Sequence, residues 1–365
     1  MYFQKLNKNK MEKVYDILVV GGGQSGLTCG YYLRKLDFSY LILDKQSEGG
    51  GAWNYAWDSL TLFSPAEHSS LAGWLMPKSD NLFPSKDEVI AYLNQYEKHY
   101  NLPVQRNTEV LSITKEDTIF QVKTSKGVIK SKVIINASGT WGNPFIPNVI
   151  GISDFKGEQI HSANYKNSLP YSGKKVLVVG EGNSGAQILA EVSKVATVKW
   201  ATKNQPCFLP DDVDGFYLFN LATAKYHAEK KGEVFQSENY SLGNIVMVPS
   251  VKEARERAVF TSVGMFDKLD AQGVVWSNGS REHFDVIIWC TGFGYATDYL
   301  SDLVTLDNRG KASTNESKSI EKEGLWFVGY GNWTGYASAT LIGINRNVKQ
   351  TIAQVQDYLN NFKNS

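Results

Sequence analysis

In the stretch Asp16-Ile17-Leu18-Val19-Val20-Gly21-Gly22-Gly23-Gln24-Ser25-Gly26, an apolar run leads directly into a Gly-x-Gly-x-x-Gly motif. The pattern predicts a buried strand, a tight turn and a helix from Leu27 to Leu36. In such a turn the first glycine permits the bend, the second lets backbone N–H groups approach a pyrophosphate, and the third packs the helix against the strand. The helix N-terminus adds positive dipole, so the stretch predicts a phosphate-binding turn.

A second strand and an acid follow this turn at the spacing of a nucleotide-binding unit. Tyr40–Leu43 reads as a strand, and it ends in Asp44, whose carboxylate is placed to accept ribose hydroxyls. An ordinary glycine-rich turn is the alternative, but strand, glycines, helix, strand and acid occur here in the required order. The residues predicted to bind a dinucleotide in this unit are Gly21, Gly23, Gln24, Ser25, Gly26, Asp44, Lys45, Gly51 and Trp53.

Length and composition restrict the class of protein. A chain of 365 residues has room for about two domains, and a net charge of +1 gives no electrostatic argument for nucleic acid. The three cysteines are far apart without a Cys-x-x-Cys motif, so no metal site is predicted and a cytoplasmic location is expected. No apolar run approaches the roughly eighteen residues of a membrane span. Residues 1–10 read as a flexible leader.

Two further segments separate this unit from the next. Residues 53–77 are rich in aromatic and turn residues and predict a wall for a planar ligand, although most of these rings could equally be ordinary core. Residues 104–135 alternate in short runs with a turn near Lys126-Gly127, which predicts an antiparallel β insertion.

A second Gly-x-Gly-x-x-Gly motif, Gly180 to Gly185, lies between the predicted strand Lys175–Val179 and a helix that extends through Ser193. The strand after it, Thr197–Ala201, ends without an acid, and Lys203 there would attract a ribose 2′-phosphate. A solvated surface lysine is an equal alternative. The residues predicted to bind a coenzyme in this unit are Gly180, Gly182, Asn183, Ser184, Gly185, Thr202, Lys203, Asn204, Thr291 and Gly292.

The order of these units predicts an α/β protein with two dinucleotide-binding, Rossmann-like domains. A late strand, Gly324–Val328, and a helix from about Ser338 to Leu359 are of the kind that completes the sheet of the first unit. The second domain, residues 166–290, is therefore expected to be inserted into a discontinuous first domain, residues 11–165 and 291–365. Residues 204–260 read as irregular.

The two glycine motifs are separated by a Phe-x-Gly-x-x-x-His-x-x-x-Tyr pattern made of Phe155, Gly157, His161 and Tyr165. Over about residues 14–355 the chain resembles the flavin-containing monooxygenases. The resemblance implies that the first unit binds FAD and the second binds NADPH. Related Baeyer–Villiger monooxygenases end this pattern with Trp, and short bacterial members resemble both groups. Tyr165 places this chain on the side of the flavin-containing monooxygenases.

The chain departs from the family pattern at two places. Phe63 stands where the family has an Asn beside the flavin, so an amide hydrogen bond to a peroxyflavin is not expected there. Lys203-Asn204 replaces an Arg followed by Thr or Ser, and lysine offers a point charge instead of a bidentate fork, so NADH is expected to be accepted beside NADPH. The candidate catalytic residues are Phe63, Trp53 and His161, although a linker histidine that fixes the domain connection is the favoured interpretation of His161.

The resemblance implies a FAD-dependent, NAD(P)H-driven monooxygenase that transfers one oxygen atom from O2 to sulfides, ketones or amines through a C4a-hydroperoxyflavin. Two alternatives stay open: an NAD(P)H-dependent flavoprotein reductase or oxidase, and a non-catalytic nucleotide-binding redox sensor. The expected partners are a small organic substrate and O2, with no nucleic acid, membrane or metal, and with a possible homodimer.

Overall fold

The computed structural model describes residues 13–235, 240 and 243–363, so the predicted leader, residues 1–10, lies outside the described residues. Its strands are β1 Val14–Val20, β2 Tyr40–Leu43, β3 Val104–Gln105, β4 Val110–Glu116, β5 Ile119–Thr124, β6 Gly127–Asn136, β7 Glu158–His161, β8 Lys175–Val179, β9 Thr197–Ala201, β10 Lys268–Leu269, β11 Gly273–Val275, β12 Arg281–His283, β13 Val286–Trp289, β14 Thr314–Asn315, β15 Lys318–Ser319 and β16 Leu325–Phe327. Its helices are α1 Gln24–Leu33, α2 Lys86–His99, α3 Asn183–Val192, α4 Gly215–Lys231, α5 Pro249–Glu256 and α6 Ile344–Lys363. None of the described helices combines the length and the apolar character that crossing a bilayer requires.

The first sheet is built around the long strand β6. On one side β6 pairs in parallel with β1, which pairs in parallel with β2, and β2 in turn pairs with β3. On its other side β6 pairs with antiparallel β5 along its first half and with parallel β16 along its last residues. β15 and β14 continue the sheet beyond β16, and β4 pairs with β5. Strands from both ends of the chain therefore share one sheet.

The second unit has its own sheet. Strands β7, β13, β8 and β9 pair in that order and all run parallel, while β10, β11 and β12 form a small antiparallel sheet. All of these strands lie, along the chain, between the two parts of the first sheet. The predicted fold class, two Rossmann-like domains with the second inserted into a discontinuous first domain, is confirmed. The limits at residues 165 and 290 stay predictions, and β7, which precedes the first limit, pairs within the second sheet.

The core of the first domain lies between its sheet and two helices from opposite ends of the chain. Leu27 of α1 and Val348 of α6 belong to one buried cluster with Ile17 of β1 and Ile135 of β6. A second cluster covers the other face of the sheet, where Leu18 packs with the aromatic side chains near Tyr330. Because β1, β2, β6 and β16 are parallel, their carboxyl ends lie along one edge of this layered structure.

Several element boundaries differ from the sequence prediction. α1 begins at Gln24, with Gly23 as its N-cap, and ends at Leu33 instead of Leu36. The last helix begins at Ile344 and not at Ser338, because a 3-10 turn and the left-handed Ala337, with φ +56°, precede it. The segment 204–260, which reads as irregular, contains α4 and α5. The apolar side chains of α4 do not follow a clear helical stripe, which explains why its sequence does not predict a helix.

Strand β6 allows a matched test of the predicted core. Ile134→Ala should lower the free energy of unfolding by about 2 to 5 kcal/mol, because Ile134 is 0% exposed and its loss leaves a cavity. Val128→Ala in the same strand should cost less than about 1 kcal/mol, because Val128 is 61% exposed. Urea unfolding of both variants, followed by tryptophan fluorescence, compares the two losses. Equal losses would contradict the central position of β6.

Candidate active site

A cavity of about 1060 Å³ opens at the carboxyl ends of β1, β2 and β6. Its size exceeds that of a typical small-ligand pocket, so it has room for a long ligand such as a dinucleotide. The wall also includes side chains from the second unit's connection to the first, among them Asn164 and Phe293. The sequence-predicted residues on this wall are Gly21, Gly23, Gln24, Ser25, Asp44, Lys45, Gly51 and Trp53.

The three glycines of the first turn have different surroundings. Gly21 has φ +110°, and a Cβ there would collide with the carbonyl of Ala137. A Cβ at Gly26 would collide with the carbonyl of Gly21, so Gly26 packs behind the turn and not on the cavity wall. At Gly23, by contrast, the nearest described atom to such a Cβ is the Cα of Gly51, 3.6 Å away. The turn is therefore tight at its two ends and open in the middle, as a pyrophosphate requires.

Asp44 lies at the end of β2 in a nearly closed environment, with 5% of its surface exposed. Its carboxylate accepts a hydrogen bond from the Gln46 amide at 3.0 Å and forms an ion pair with Arg106. Burial raises the pKa of Asp44, while the Gln46 amide and the Arg106 guanidinium act in the opposite direction. The acid predicted from the spacing is thus present, and a cation supports its charge.

Sequence patterns alone do not identify Arg106 as part of this site. Its guanidinium also contacts Glu97 of α2. Burial raises the pKa of Glu97, and the charge of Arg106 lowers it. Arg106 directly follows β3, and β3 is the neighbour of β2, so the two strand ends bring Arg106 to Asp44. A basic residue near the start of the predicted β insertion, residues 104–135, is the only signal in the sequence.

Gln24 connects the turn to two distant parts of the first domain. Its amide nitrogen donates to the carbonyl of Ala339 at 2.7 Å, and its amide oxygen accepts a long hydrogen bond, 3.5 Å, from the indole of Trp53. Gly51 has φ +59°, and a Cβ there would come within 2.8 Å of the Cα of Gly23. The loop that carries Gly51 and Trp53 therefore forms the wall that faces the glycine turn.

His161 occupies the connection between the two domains. Its Nδ1 accepts from the amide of Ala163 at 3.1 Å, so its Nε2 carries the proton and donates to the carbonyl of Gly292 at 2.9 Å. Burial lowers the pKa of His161, against the opposing effect of the Gly292 carbonyl. Both ring nitrogens are therefore engaged with backbone, which argues against a role as acid or base, and the linker interpretation stays a prediction.

Phe63 lies away from the cavity among the described residues, and the lining does not include it. Its carbonyl accepts from the amide of Gly215 at 2.7 Å, and its ring packs so closely on Gly215 that a Cβ there would collide with it. Phe63 also belongs to the edge of the buried cluster of the second domain. Its predicted place beside the flavin stays a prediction that this packing does not support, because the ring fills the contact with α4.

The second glycine turn repeats the geometry of the first. Gly180 has φ +126°, and a Cβ there would collide with the carbonyl of Cys290, while a Cβ at Gly185 would collide with the carbonyl of Gly180. At Gly182 no described atom lies within 4 Å of such a Cβ. Ser184 and Gly185 lie in the first turn of α3, which begins at Asn183.

The remaining predicted coenzyme residues surround this second turn. The amide of Asn183 bridges the carbonyl of Asn244 and the N–H of Val246, each at 2.9 Å, so it supports the neighbouring loop. The hydroxyl of Thr202 is 2.6 Å from that of Ser262. Lys203 and Asn204 are exposed. Thr291 and Gly292 hydrogen-bond residue 145, where the chain crosses between the domains.

Comparisons with known proteins agree with this geometry. A family model for pyridine nucleotide-disulphide oxidoreductases matches residues 18–214. The uncharacterized oxidoreductase CzcO of Bacillus subtilis (strain 168) is 31% identical over 347 residues, which cover 94% of this chain and 99% of that protein. The solved structure of a flavin-containing monooxygenase from Stenotrophomonas maltophilia is 41% identical, with a TM-score of 0.87 over 96% of this chain and 100% of the other. A cyclohexanone monooxygenase structure, 16% identical with a TM-score of 0.69 over 96% and 88% of the two chains, shares the fold.

Two open glycine turns on two Rossmann-like sheets define a flavoprotein oxidoreductase of the pyridine nucleotide class, and the chain belongs to the pyridine nucleotide-disulphide oxidoreductase family. Within that family it belongs to the group of the flavin-containing monooxygenases, because it is similar along nearly its whole length to the bacterial protein of that group. The predicted family is therefore confirmed, and its cofactors are FAD and a nicotinamide nucleotide. The three cysteines are free thiols. Cys29 and Cys290 are buried, and Cys207 is exposed.

The glycine turn yields a test that separates binding from folding. Gly23→Val should fold but purify without stoichiometric flavin, because Gly23 has an ordinary φ of −80° and its added side chain points into the open cradle. Gly26→Ala should instead lose more than about 2 kcal/mol of stability, because its Cβ meets the Gly21 carbonyl. Flavin absorbance per protein and thermal unfolding measure the two effects. A stoichiometric flavin in Gly23→Val would contradict the assignment of this turn.

The Asp44–Arg106 pair predicts a pH dependence of flavin binding. Arg106→Met removes the cation that lowers the pKa of Asp44, so this carboxyl takes up a proton at a higher pH than in the wild type. A protonated carboxyl accepts ribose hydroxyls poorly, so the variant's affinity for FAD should fall by about tenfold between about pH 8 and about pH 5.5, while the wild type changes less. Quenching of flavin fluorescence by the apoprotein gives both dissociation constants.

Two variants control this measurement. Arg281→Met removes an exposed arginine whose guanidinium lies 3.8 Å from Asp270, and it should leave the pH profile unchanged. Asp44→Asn combined with Arg106→Met should lose the pH dependence that comes from Asp44 and keep only the contribution of Glu97, the other carboxyl that Arg106 contacts. If the single variant Arg106→Met and the double variant show the same dependence of FAD affinity on pH, the effect belongs to a group other than Asp44.

Proposed function

We propose that this protein is a NAD(P)H-driven monooxygenase that transfers one oxygen atom of O2 to soft nucleophiles, with sulfides as the first class and ketones or amines as further classes. The observation that carries the proposal is the pair of open positions at Gly23 and Gly182, each flanked by glycines whose Cβ atoms would collide with backbone. The two cradles lie on different sheets, and Phe293, which follows β13 of the second sheet, lines the cavity of the first. One site for FAD and one for a nicotinamide nucleotide follow from this arrangement.

The protein's part in this chemistry is binding, orientation and the exclusion of water. FAD, when bound, supplies the hydride acceptor and the centre of oxygen activation. Backbone around Gly23 would hold its pyrophosphate, and Asp44, supported by Arg106, would hold its ribose. Gln24 and Trp53 would close the wall beside it, because the Gln24 amide fixes the indole to the turn.

Aromatic side chains at the domain crossing support the exclusion of water. Phe293 lines the cavity and stacks on Trp141, with ring centroids 5.1 Å apart, and it forms a T-shaped pair with the His161 ring, with centroids 5.0 Å apart. His161 keeps this group in place through its two backbone hydrogen bonds. A dry wall at this place limits the loss of activated oxygen as hydrogen peroxide, so its integrity sets the fraction of NAD(P)H used for product.

The second turn provides the sharpest test of this function. Wild-type protein should purify with flavin, lose its yellow colour with NADPH without oxygen, and form a sulfoxide from a thioether in air. Gly182→Val should retain the flavin but react at least about a hundredfold more slowly with NADPH, because its side chain fills the space of the coenzyme pyrophosphate. Gly23→Val is the matched control, since it should lose the flavin itself.

Product analysis distinguishes the alternatives. Sulfoxide in proportion to NADPH consumed supports the monooxygenase. Hydrogen peroxide in that proportion, with no oxidised product from sulfides, ketones or amines, would make the protein a reductase or oxidase. A flavin that neither NADPH nor NADH reduces would leave the non-catalytic redox sensor as the remaining alternative.

A further inference from the structure

Glu181 supplies a carboxylate at the end of β9, where the sequence of the strand itself has none. It stands between the first two glycines of the second turn, and its side chain reaches across to residues 203 and 204. One carboxylate oxygen accepts from the backbone N–H of Lys203 at 3.3 Å, and the other accepts from the side-chain amide of Asn204 at 2.8 Å. The acid that the strand lacks is thus contributed by the turn.

This position gives the carboxylate a direct effect on the coenzyme. In a Rossmann-like domain the residues after the second strand face the adenosine ribose, where a carboxylate accepts ribose hydroxyls and repels a 2′-phosphate. Lys203 has the opposite preference, and within the described part of the chain its ammonium group forms no ion pair that would neutralise it. An acid favouring the free ribose and a base favouring the phosphate therefore lie side by side at half-exposed and exposed positions.

We propose that Glu181 is a specificity-determining residue that offsets Lys203 and lets the protein accept NADH beside NADPH. The inference rests on the proposed function, because it requires the nicotinamide nucleotide to bind at the second turn. Glu181 favours NADH through its charge, and it also orients Asn204 through a hydrogen bond. These two roles can be separated, because glutamine has the same shape, keeps one oxygen that accepts from the Asn204 amide and removes the charge. It gives up only the longer hydrogen bond from the Lys203 N–H.

The experiment compares the specificity constants, kcat/KM, for flavin reduction by NADPH and by NADH. Glu181→Gln should raise the ratio of NADPH to NADH by about tenfold, since one repulsive charge next to the phosphate is removed. Lys203→Ala should lower the same ratio by about tenfold or more. The double variant should return near the wild-type ratio if the two charges act against each other at one phosphate.

Glu158→Gln is the matched control. It removes one negative charge from the same sheet, but Glu158 begins β7 and so lies at the amino-terminal edge, opposite to the turn. Its partner there is Lys174, at 3.2 Å. The control should leave the NADPH to NADH ratio unchanged, which excludes a general effect of net charge.

The outcomes separate this inference from the proposed function. Reduction of the wild-type flavin by neither coenzyme would overturn the proposed function itself. Reduction by both coenzymes, with a ratio unchanged in Glu181→Gln, would overturn only the role of Glu181. A rise in the ratio that persists at about 0.5 M salt would also overturn it, because an exposed charge effect is screened under those conditions. A salt-sensitive rise in Glu181→Gln with no rise in Glu158→Gln would support it.

Discussion

Parallel hydrogen bonding on both sides of β6 is the constraint on which the rest of this protein depends. β1 pairs along one side of β6, and β16, which comes nearly two hundred residues later, pairs with the last residues on the other side. This pairing brings the carboxyl ends of strands from distant parts of the chain to one edge. The cavity lies at that edge, and its walls come from residues before and after the inserted domain. Loss of this pairing would separate the glycine turn from the C-terminal residues that Gln24 binds.

Both turns use the absence of side chains in two different ways. Gly21, Gly26, Gly180 and Gly185 are needed for protein contacts, because a Cβ at each would meet a backbone carbonyl. The space beside Gly23 and Gly182 is open in the protein, and the proposed function assigns this space to the two nucleotides. Each copy of the three-glycine motif therefore combines two constraints of folding with one position proposed for binding, and substitutions at the two kinds of position should have different consequences.

The sequence predicts local features of the site better than features that depend on neighbouring strands. The first turn and Asp44 follow one another within thirty residues, so spacing alone identifies them. Arg106 contacts Asp44, and Glu181 contacts Lys203, only because strand order brings them together, and no local pattern reports strand order. Phe63 is the converse case. Its position in a family motif suggests the flavin, but its ring packs on Gly215 at the start of α4, in the part of the chain that reads as irregular.

The topology around β6 also orders events during synthesis of the chain. When the ribosome has completed the second domain, the last residues of β6 still present an unpaired edge, because β16 and α6 have not yet been made. An uncovered edge strand is a site for pairing with other chains. By then the inserted domain has all four strands of its parallel sheet and can fold first. The first domain can be completed only after its C-terminal residues have been made. Nascent chains that stop before residue 325 would therefore combine a folded second domain with an incomplete first domain, whose unpaired strand edge can pair with other chains.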